Sequence, residues 1–147
     1  MSAPVAAAVA AGVLIAVQAA ILGAFGERVN PFTASLWVHV GGVVFGVVVV
    51  AVARLGFHLE VVRQAPWGLL AGVAGFLLVG GIAVAVGGIG LASTLAIVTA
   101  VQLLVGFTLE SSGVLGRSVA LDPLRVLGAA LIVAGVYLVA SRGPGVA

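Results

Sequence analysis

Charged side chains divide this chain into long apolar runs separated by short polar segments. The runs that contain no Asp, Glu, Lys or Arg cover residues 1–26, 29–53, 64–109 and 126–141. The hydrocarbon core of a bilayer, roughly 30 Å thick, is crossed by a helix of about 20 apolar residues. The 46-residue run is therefore long enough for two helices, and each of the other runs holds one.

The pattern predicts five membrane-spanning helices, at about 4–25, 33–53, 66–86, 91–111 and 124–141. The segment Gly87-Gly88-Ile89-Gly90 is predicted to end the third span, since three glycines in four positions weaken a helix. Pro31 and Pro66 stand near helix starts, and Asp122-Pro123 is typical of an N-cap followed by the first helical residue. Segment 54–64 is too polar to span and predicts a short interfacial piece.

Composition supports an all-α integral membrane protein, a single transmembrane domain over residues 1–147. Hydrophobic residues make up 63% of the chain and charged residues 7%, against roughly 25% charged in soluble domains. These values exclude a soluble domain, a disordered chain and a nucleic-acid-binding protein. With no cysteine, the chain has no disulfide and no thiolate metal site. No nucleophile–base pair or metal cluster stands out, so we expect no enzyme activity, no cofactor and no metal.

The arginines favour one orientation in the membrane. Four of the six lie in segments on the side of the N-terminus, and two lie on the other side; the first set is Arg54, Arg63, Arg117 and Arg125, and the second is Arg28 and Arg142. The positive-inside rule then places the N-terminus in the cytoplasm and the C-terminus outside. Because the difference is only two charges, insertion in both orientations stays open.

Two spans carry polar residues and glycines on one face, at steps of three and four. The second span has Ser35, His39, Gly42 and Gly46, and the fourth has Thr99, Gln102, Gly106 and Glu110. Gly72 and Gly75 share a face of the third span. Such glycines indicate close helix packing. The polar residues, with Gln18 in the first span, either bridge helices or line a substrate path. Glu110 either anchors its helix at the interface or couples protons.

Short motifs in these spans resemble the YdcZ-like five-helix family of the drug/metabolite transporter superfamily. The resemblance covers residues 13–142 and rests on Val17-Gln18-Ala19-Ala20, Asn30-Pro31, Gly42, Ala65-Pro66-Trp67, Gly72, Gly75, Gly90, Gln102-Leu103-Leu104, Glu110, Gly113 and the segment 125–142. The sequence departs from the family pattern at Leu22, where Asn is frequent, at Val101, where Gly is frequent, and at Glu110-Ser111, where Asp-His is frequent.

The resemblance implies an all-helical transporter in a bacterial inner membrane. Members of this family occur as single five-helix chains, as pairs of opposite orientation and as ten-helix fusions. We therefore expect a half-transporter that forms an antiparallel homodimer, or a heterodimer with an oppositely oriented homologue. Its substrate is expected to be a small organic or drug-like molecule, bound by Gln18, His39, Thr99 and Gln102, with Trp67 in the interfacial belt. The alternative is a scaffold or assembly subunit that transports nothing.

The orientation gives a first prediction. Because five spans place the two ends of a chain on opposite sides of the membrane, reporters fused to the N- and C-terminus should report opposite compartments. The arginine difference predicts that the N-terminal reporter is cytoplasmic in most molecules. Both ends reporting one compartment in the same molecules would mean an even number of spans and would contradict this topology.

Overall fold

The computed structural model describes residues 2–112 and 122–141, and this part of the chain consists of helices joined by short turns and loops. Arg117, Arg142 and Gly113, used above for orientation and resemblance, lie outside the described residues. No strand occurs in the described ranges. The elements are α1 (Ala3–Gly26), α2 (Pro31–Val52), α3 (Leu59–Gln64), a 3₁₀ turn (Pro66–Leu69), α4 (Leu70–Ile89), α5 (Leu91–Ser111) and α6 (Pro123–Ala140).

Five helical segments in the described ranges are long and apolar enough to span a membrane, which confirms the all-α membrane class. They are Ala3–Gly26, Pro31–Val52, Pro66–Ile89, Leu91–Ser111 and Pro123–Ala140. Each agrees with its predicted span to within three residues at either end. In the polar segment 54–64, the structure has the short helix α3, with every residue exposed. Its location at the membrane interface remains a prediction.

The prediction for the end of the third span needs correction. Helix α4 continues through Gly87 and Gly88 to Ile89, three residues beyond the predicted end. Only Gly90 interrupts the helix, because its φ of 79° and ψ of 164° lie in a region that residues with a Cβ rarely adopt. A helical glycine costs about 1 kcal/mol relative to alanine, and in hydrocarbon the backbone still gains from remaining hydrogen-bonded. Glycine therefore permits a break without requiring one.

Two helix starts have the capping geometry that their sequences indicate. Asn30 Oδ1 accepts a hydrogen bond from the backbone N–H of Phe32 at 2.9 Å. Asp122 Oδ1 accepts one from the N–H of Leu124 at 3.1 Å. The following prolines, Pro31 and Pro123, are the first helical residues, where the missing N–H costs nothing. The Asp122-Pro123 prediction is confirmed.

The chain divides into two compact units, Met1–Gly87 and Gly88–Ala147. In the first unit, burial is concentrated near the connection between α1 and α2. The buried residues of α1 lie in its last third, those of α2 in its first turns, and those of α4 in its second half: Ala19, Leu22, Gly23, Ala34, Ser35, Val79, Gly80, Ile82 and Ala83. Towards the other ends of these helices, most side chains are exposed.

Glycine permits the closest helix approaches in this buried region. A Cβ at Gly23 would overlap the side chain of Val86 and lie 3.3 Å from Val86 Cβ. A Cβ at Gly80 would lie 2.6 Å from the ring of Phe32. By contrast, a Cβ at Gly12 in α1 would have no atom within 4 Å. Small residues thus bring α1 and α2 against α4 at one end of the first unit.

In the second unit, α5 packs against α6. Ser93, Thr94 and Ala100 are buried in α5, whereas α6 has no buried residue. Thr94 donates its hydroxyl hydrogen to the carbonyl oxygen of Gly90 at 2.7 Å. The hydroxyl is therefore satisfied within its own helix, as a buried polar group in hydrocarbon must be. Helix α6 leaves most of its apolar surface uncovered within the described chain.

The contact at Gly23 predicts a measurable loss of stability. Gly23→Ala should destabilise the protein by about 1–3 kcal/mol through overpacking, because the stiff β-branched Val86 has little freedom to move away. Gly12→Ala, in the same helix but with open space around it, is the matched control and should be neutral or slightly stabilising. Detergent melts of the purified variants measure both. Equal melting temperatures would contradict a close approach of α1 and α4.

Candidate functional site

The polar stripe of α5 lines one depression in the second unit. Thr99, Gln102, Gly106 and Glu110 surround it together with Leu103 and Phe107, and its volume is about 270 Å³. Thr99 and Gln102 are exposed, and Gly106 and Glu110 are half-buried. The helical spacing of three and four residues places these groups on one face. The depression therefore offers an amide, a hydroxyl and a carboxylate to the same space.

Glu110 is also paired with an arginine. Its Oε2 lies 3.7 Å from Arg125 Nη1 on α6, with about half of each side chain exposed. An exposed pair at this distance contributes under about 1 kcal/mol to stability. The two roles expected for Glu110, an anchor at the interface or a proton-coupling carboxylate, both stay predictions.

His39 lies between α2 and α4 in the first unit. Its Nδ1 is 2.8 Å from the carbonyl oxygen of Ser35, one turn earlier in the same helix. Its ring packs edge-on to Phe76 of α4, with the ring centres 6.1 Å apart. A Cβ at Gly75 would lie 3.3 Å from Nε2, so the glycine allows the imidazole to approach the α4 backbone. His39 is half-buried, the one predicted substrate-binding residue that is not exposed.

Ser35 connects α2 to α4 through a side-chain hydrogen bond. It is fully buried, and its hydroxyl donates to the carbonyl oxygen of Phe76 at 2.7 Å. A carbonyl oxygen has a second lone pair, so it can accept this bond without losing its helical one. Ser35 was grouped with His39 by spacing alone. In the structure, its hydrogen bond joins α2, which carries the imidazole, to α4, which packs against the imidazole.

Gln18 lies on an exposed part of the first unit. It lines a cavity of about 380 Å³ with Leu14, Val17 and Ile21 of α1 and Val38 of α2. The cavity is almost wholly apolar apart from this amide. An exposed amide at mid-helix is costly in lipid unless a partner or water reaches it.

Of the glycines predicted to pack helices, one has a close neighbour in the described chain. Gly75 faces His39 as described above. The other four, Gly42, Gly46, Gly72 and Gly106, would have no atom within 4 Å of an added Cβ. Their packing role remains a prediction for contacts with another chain. Sequence reasoning missed Gly23 and Gly80 as packing residues, because periodicity identifies a face but not its neighbour.

The predicted site residues thus form two groups. Gln18 and His39 belong to the first unit, and Thr99, Gln102 and Glu110 belong to the second. Within the described residues, no group of three His, Asp or Glu side chains is placed to hold a metal ion.

Sequence reasoning also missed an apolar groove between α5 and α6. It measures about 870 Å³, and Phe107, Val133 and Tyr137 are among its lining residues. Thr108 and Ser111 also line it, but their hydroxyls donate to carbonyl oxygens of their own helix. Ala129, Ala130 and Ala134 of α6 open this space because their side chains are small. These alanines are the sequence feature from which the groove could have been predicted.

Comparison with known proteins identifies the family. Residues 3–138 match the model of the family described as "Putative inner membrane exporter, YdcZ". The chain belongs to this family. It is therefore a multi-pass protein of the inner membrane, of transporter type, as the resemblance implied. The family description is that of an exporter. No curated protein and no solved structure matches the chain.

Proposed function

We propose that this YdcZ-family protein exports small, drug-like organic compounds as an antiparallel dimer, by alternating access. Two five-helix chains of opposite orientation would act as inverted repeats around a midplane site. Gln18, His39, Thr99 and Gln102 would bind the substrate in the cavity between them. The observation that carries the proposal is the family match over residues 3–138.

Polar side chains on exposed helix faces support a water-filled cavity. Gln18, Thr99 and Gln102 are exposed although they belong to membrane-spanning helices. An unpaired amide facing hydrocarbon costs several kcal/mol. A cavity lined by these groups removes that cost, because water or substrate then forms their hydrogen bonds. The one-sided stripe of α5 fits a helix with one face towards a cavity and the other towards lipid or protein.

Uncovered helix faces support a second chain. Helix α6 has no buried residue, and Gly42 and Gly46 of α2 have open space around them. Five helices of about 20 residues make a small bundle in which to enclose a cavity and still seal both ends. A second copy of the chain would supply the remaining walls of the cavity. Because the number of spans is odd, two copies become inverted repeats when one is inserted upside down.

The role of Gln102 can be separated from a structural role by substitution. Gln102→Leu should preserve folding, because removing an interhelical amide from a membrane protein typically costs about 1 kcal/mol or less. Efflux of ethidium, a fluorescent organic cation, and of a neutral fluorescent dye should be measured in proteoliposomes. We expect Gln102→Leu to lower flux of the transported dye about tenfold, the effect of losing one hydrogen bond of about 1.4 kcal/mol.

Thr108→Val is the matched control, since it removes a polar group from the same helix outside the stripe. It should leave flux unchanged, because the Thr108 hydroxyl is bonded to its own helix. A stability loss in Gln102→Leu with flux intact would assign Gln102 to helix bridging. If the wild-type protein moves neither dye, drug-like compounds are the wrong substrate class.

The antiparallel homodimer predicts that one loop is found on both sides of the membrane. Val29→Cys places a single cysteine in the connection between α1 and α2 without changing a charge, in a chain with no native cysteine. In a homodimer of opposed chains, an impermeant thiol reagent should label about half of the molecules in intact cells and the rest after permeabilisation. Labelling of all molecules or none would exclude the homodimer and leave a heterodimer or a parallel assembly.

A further inference from the structure

His39 lies where the first unit changes from buried to exposed. One turn towards the α1–α2 connection, Ala34 and Ser35 are fully buried. One turn in the other direction, Val43 is exposed, and Gly42 has no neighbour within 4 Å of an added Cβ. On α4 the same change takes place between Gly80, which is buried, and Gly72, which is open. The half-buried imidazole therefore lies at the edge of the buried region that α2 shares with α4.

The hydrogen bond at Nδ1 assigns the proton-binding atom of the ring. A carbonyl oxygen only accepts, so Nδ1 must carry the hydrogen that bonds to Ser35 at 2.8 Å. In the neutral ring, Nε2 then holds the free lone pair. Nε2 lies against Gly75, which is half-buried. A proton reaching this nitrogen from water does not have to break the existing hydrogen bond.

His39 has no competing titratable group around it. The three spans of the first unit, residues 3–26, 31–52 and 66–89, contain no other His, Asp, Glu, Lys, Arg or Tyr. The side chains of the other two spans, residues 3–26 and 66–89, are apolar apart from the amide of Gln18 and the indole of Trp67. Arg54, His58, Glu60 and Arg63 belong to the connecting segment outside the spans. Any change of charge within these three spans must take place on His39.

We propose that His39 is the proton-binding group that couples the transport cycle to the proton gradient, an inference that rests on the proposed export function. A proton from water adds to the Nε2 lone pair and gives an imidazolium, while Nδ1 keeps its bond to Ser35. One proton is taken up on one side and released on the other, and no other bond is formed or broken. Histidine suits this role because a neutral imidazole nitrogen can bind and release a proton without any other bond changing.

Proton binding at Nε2 controls the contact between α2 and α4. A charged ring held against Phe76 and the α4 backbone is costly without water or an acceptor. The protonated form therefore favours a state in which α2 moves away from α4 at His39 and Nε2 is hydrated. The neutral form favours the close contact that Gly75 permits.

The distance between α2 and α4 tests this directly. Val43→Cys and Val73→Cys, both at exposed positions, carry nitroxide labels, and labelled chains are diluted with unlabelled chains so that each assembly holds one labelled copy. Pulsed dipolar spectroscopy in liposomes should give a longer distance at about pH 5 than at about pH 8, across the range in which histidine titrates. His39→Gln should abolish this pH dependence and keep the shorter distance throughout.

His58→Gln is the matched control, because His58 is the only other histidine and lies exposed outside the spans. It should retain the full pH dependence. A distance that does not change with pH, or one that still changes in His39→Gln, would overturn the proposal.

A second measurement leaves residue 39 intact and so does not depend on the folding of a variant. In ¹⁵N-histidine-labelled His58→Gln protein, His39 gives the single imidazole spectrum. We expect Nδ1 to stay protonated throughout and Nε2 to gain a proton between about pH 8 and pH 5. A ring that does not titrate in this range, or one that is protonated at Nε2 when neutral, would overturn the proposal.

These results separate the inference from the proposed function. Dye flux that is intact and driven by a pH gradient in His39→Gln would refute the coupling role of His39 and its place among the substrate-binding residues, and would leave export of the dye standing. Titration of His39 with the matching distance change, but no flux of either dye, would refute the proposed substrate class and leave the proton switch standing.

Discussion

The structure depends on the cost of leaving a polar group unpaired in hydrocarbon. Three hydroxyls in the described spans, those of Thr94, Thr108 and Ser111, meet this cost locally, by donating to a carbonyl oxygen of their own helix. The Nδ1–H of His39 does the same. Among the described side chains, Ser35 makes a bond that crosses to another helix, and it is fully buried. The amides of Gln18 and Gln102 lie exposed, and in the proposed function water, substrate or another chain supplies their hydrogen bonds.

Packing and polar chemistry occupy different parts of the first unit. Gly23 and Gly80 allow close contact near the α1–α2 connection, where van der Waals packing supplies the stability that hydrophobic burial cannot provide between helices in lipid. His39 lies at the edge of that packed region. A titratable group deep in the packed region would be inaccessible to protons, and one beyond it would have no effect on helix contacts. The edge is the position where protonation and helix contact can influence each other.

For the described residues, the number and type of the spans, and most of their limits, could be read from the sequence because charge and hydropathy act on one helix at a time. The Asp122 cap of α6 could be predicted for the same reason, because it depends only on neighbouring residues. The end of α4 could not be predicted, because Gly87 and Gly88 permit a helix break but remain helical in the structure. The dihedral angles of Gly90 show where the helix ends. The α5 stripe was predictable as a face, but its pairing with Arg125 was not. The close approach of Gly23 to Val86 also required knowledge of which helices are neighbours.

The first unit is packed at one end, near the α1–α2 connection, so a rotation of α2 about those contacts would displace its other end most. From His39 to the end of α2 the helix extends about 20 Å at 1.5 Å per residue. A rotation of about 10° at these contacts would displace the free end by about 3 Å, the diameter of a water molecule, given that length. A small rearrangement around one side chain is thereby magnified along a rigid rod. The stiffness of the helix, rather than any flexible loop, would set the amplitude of opening.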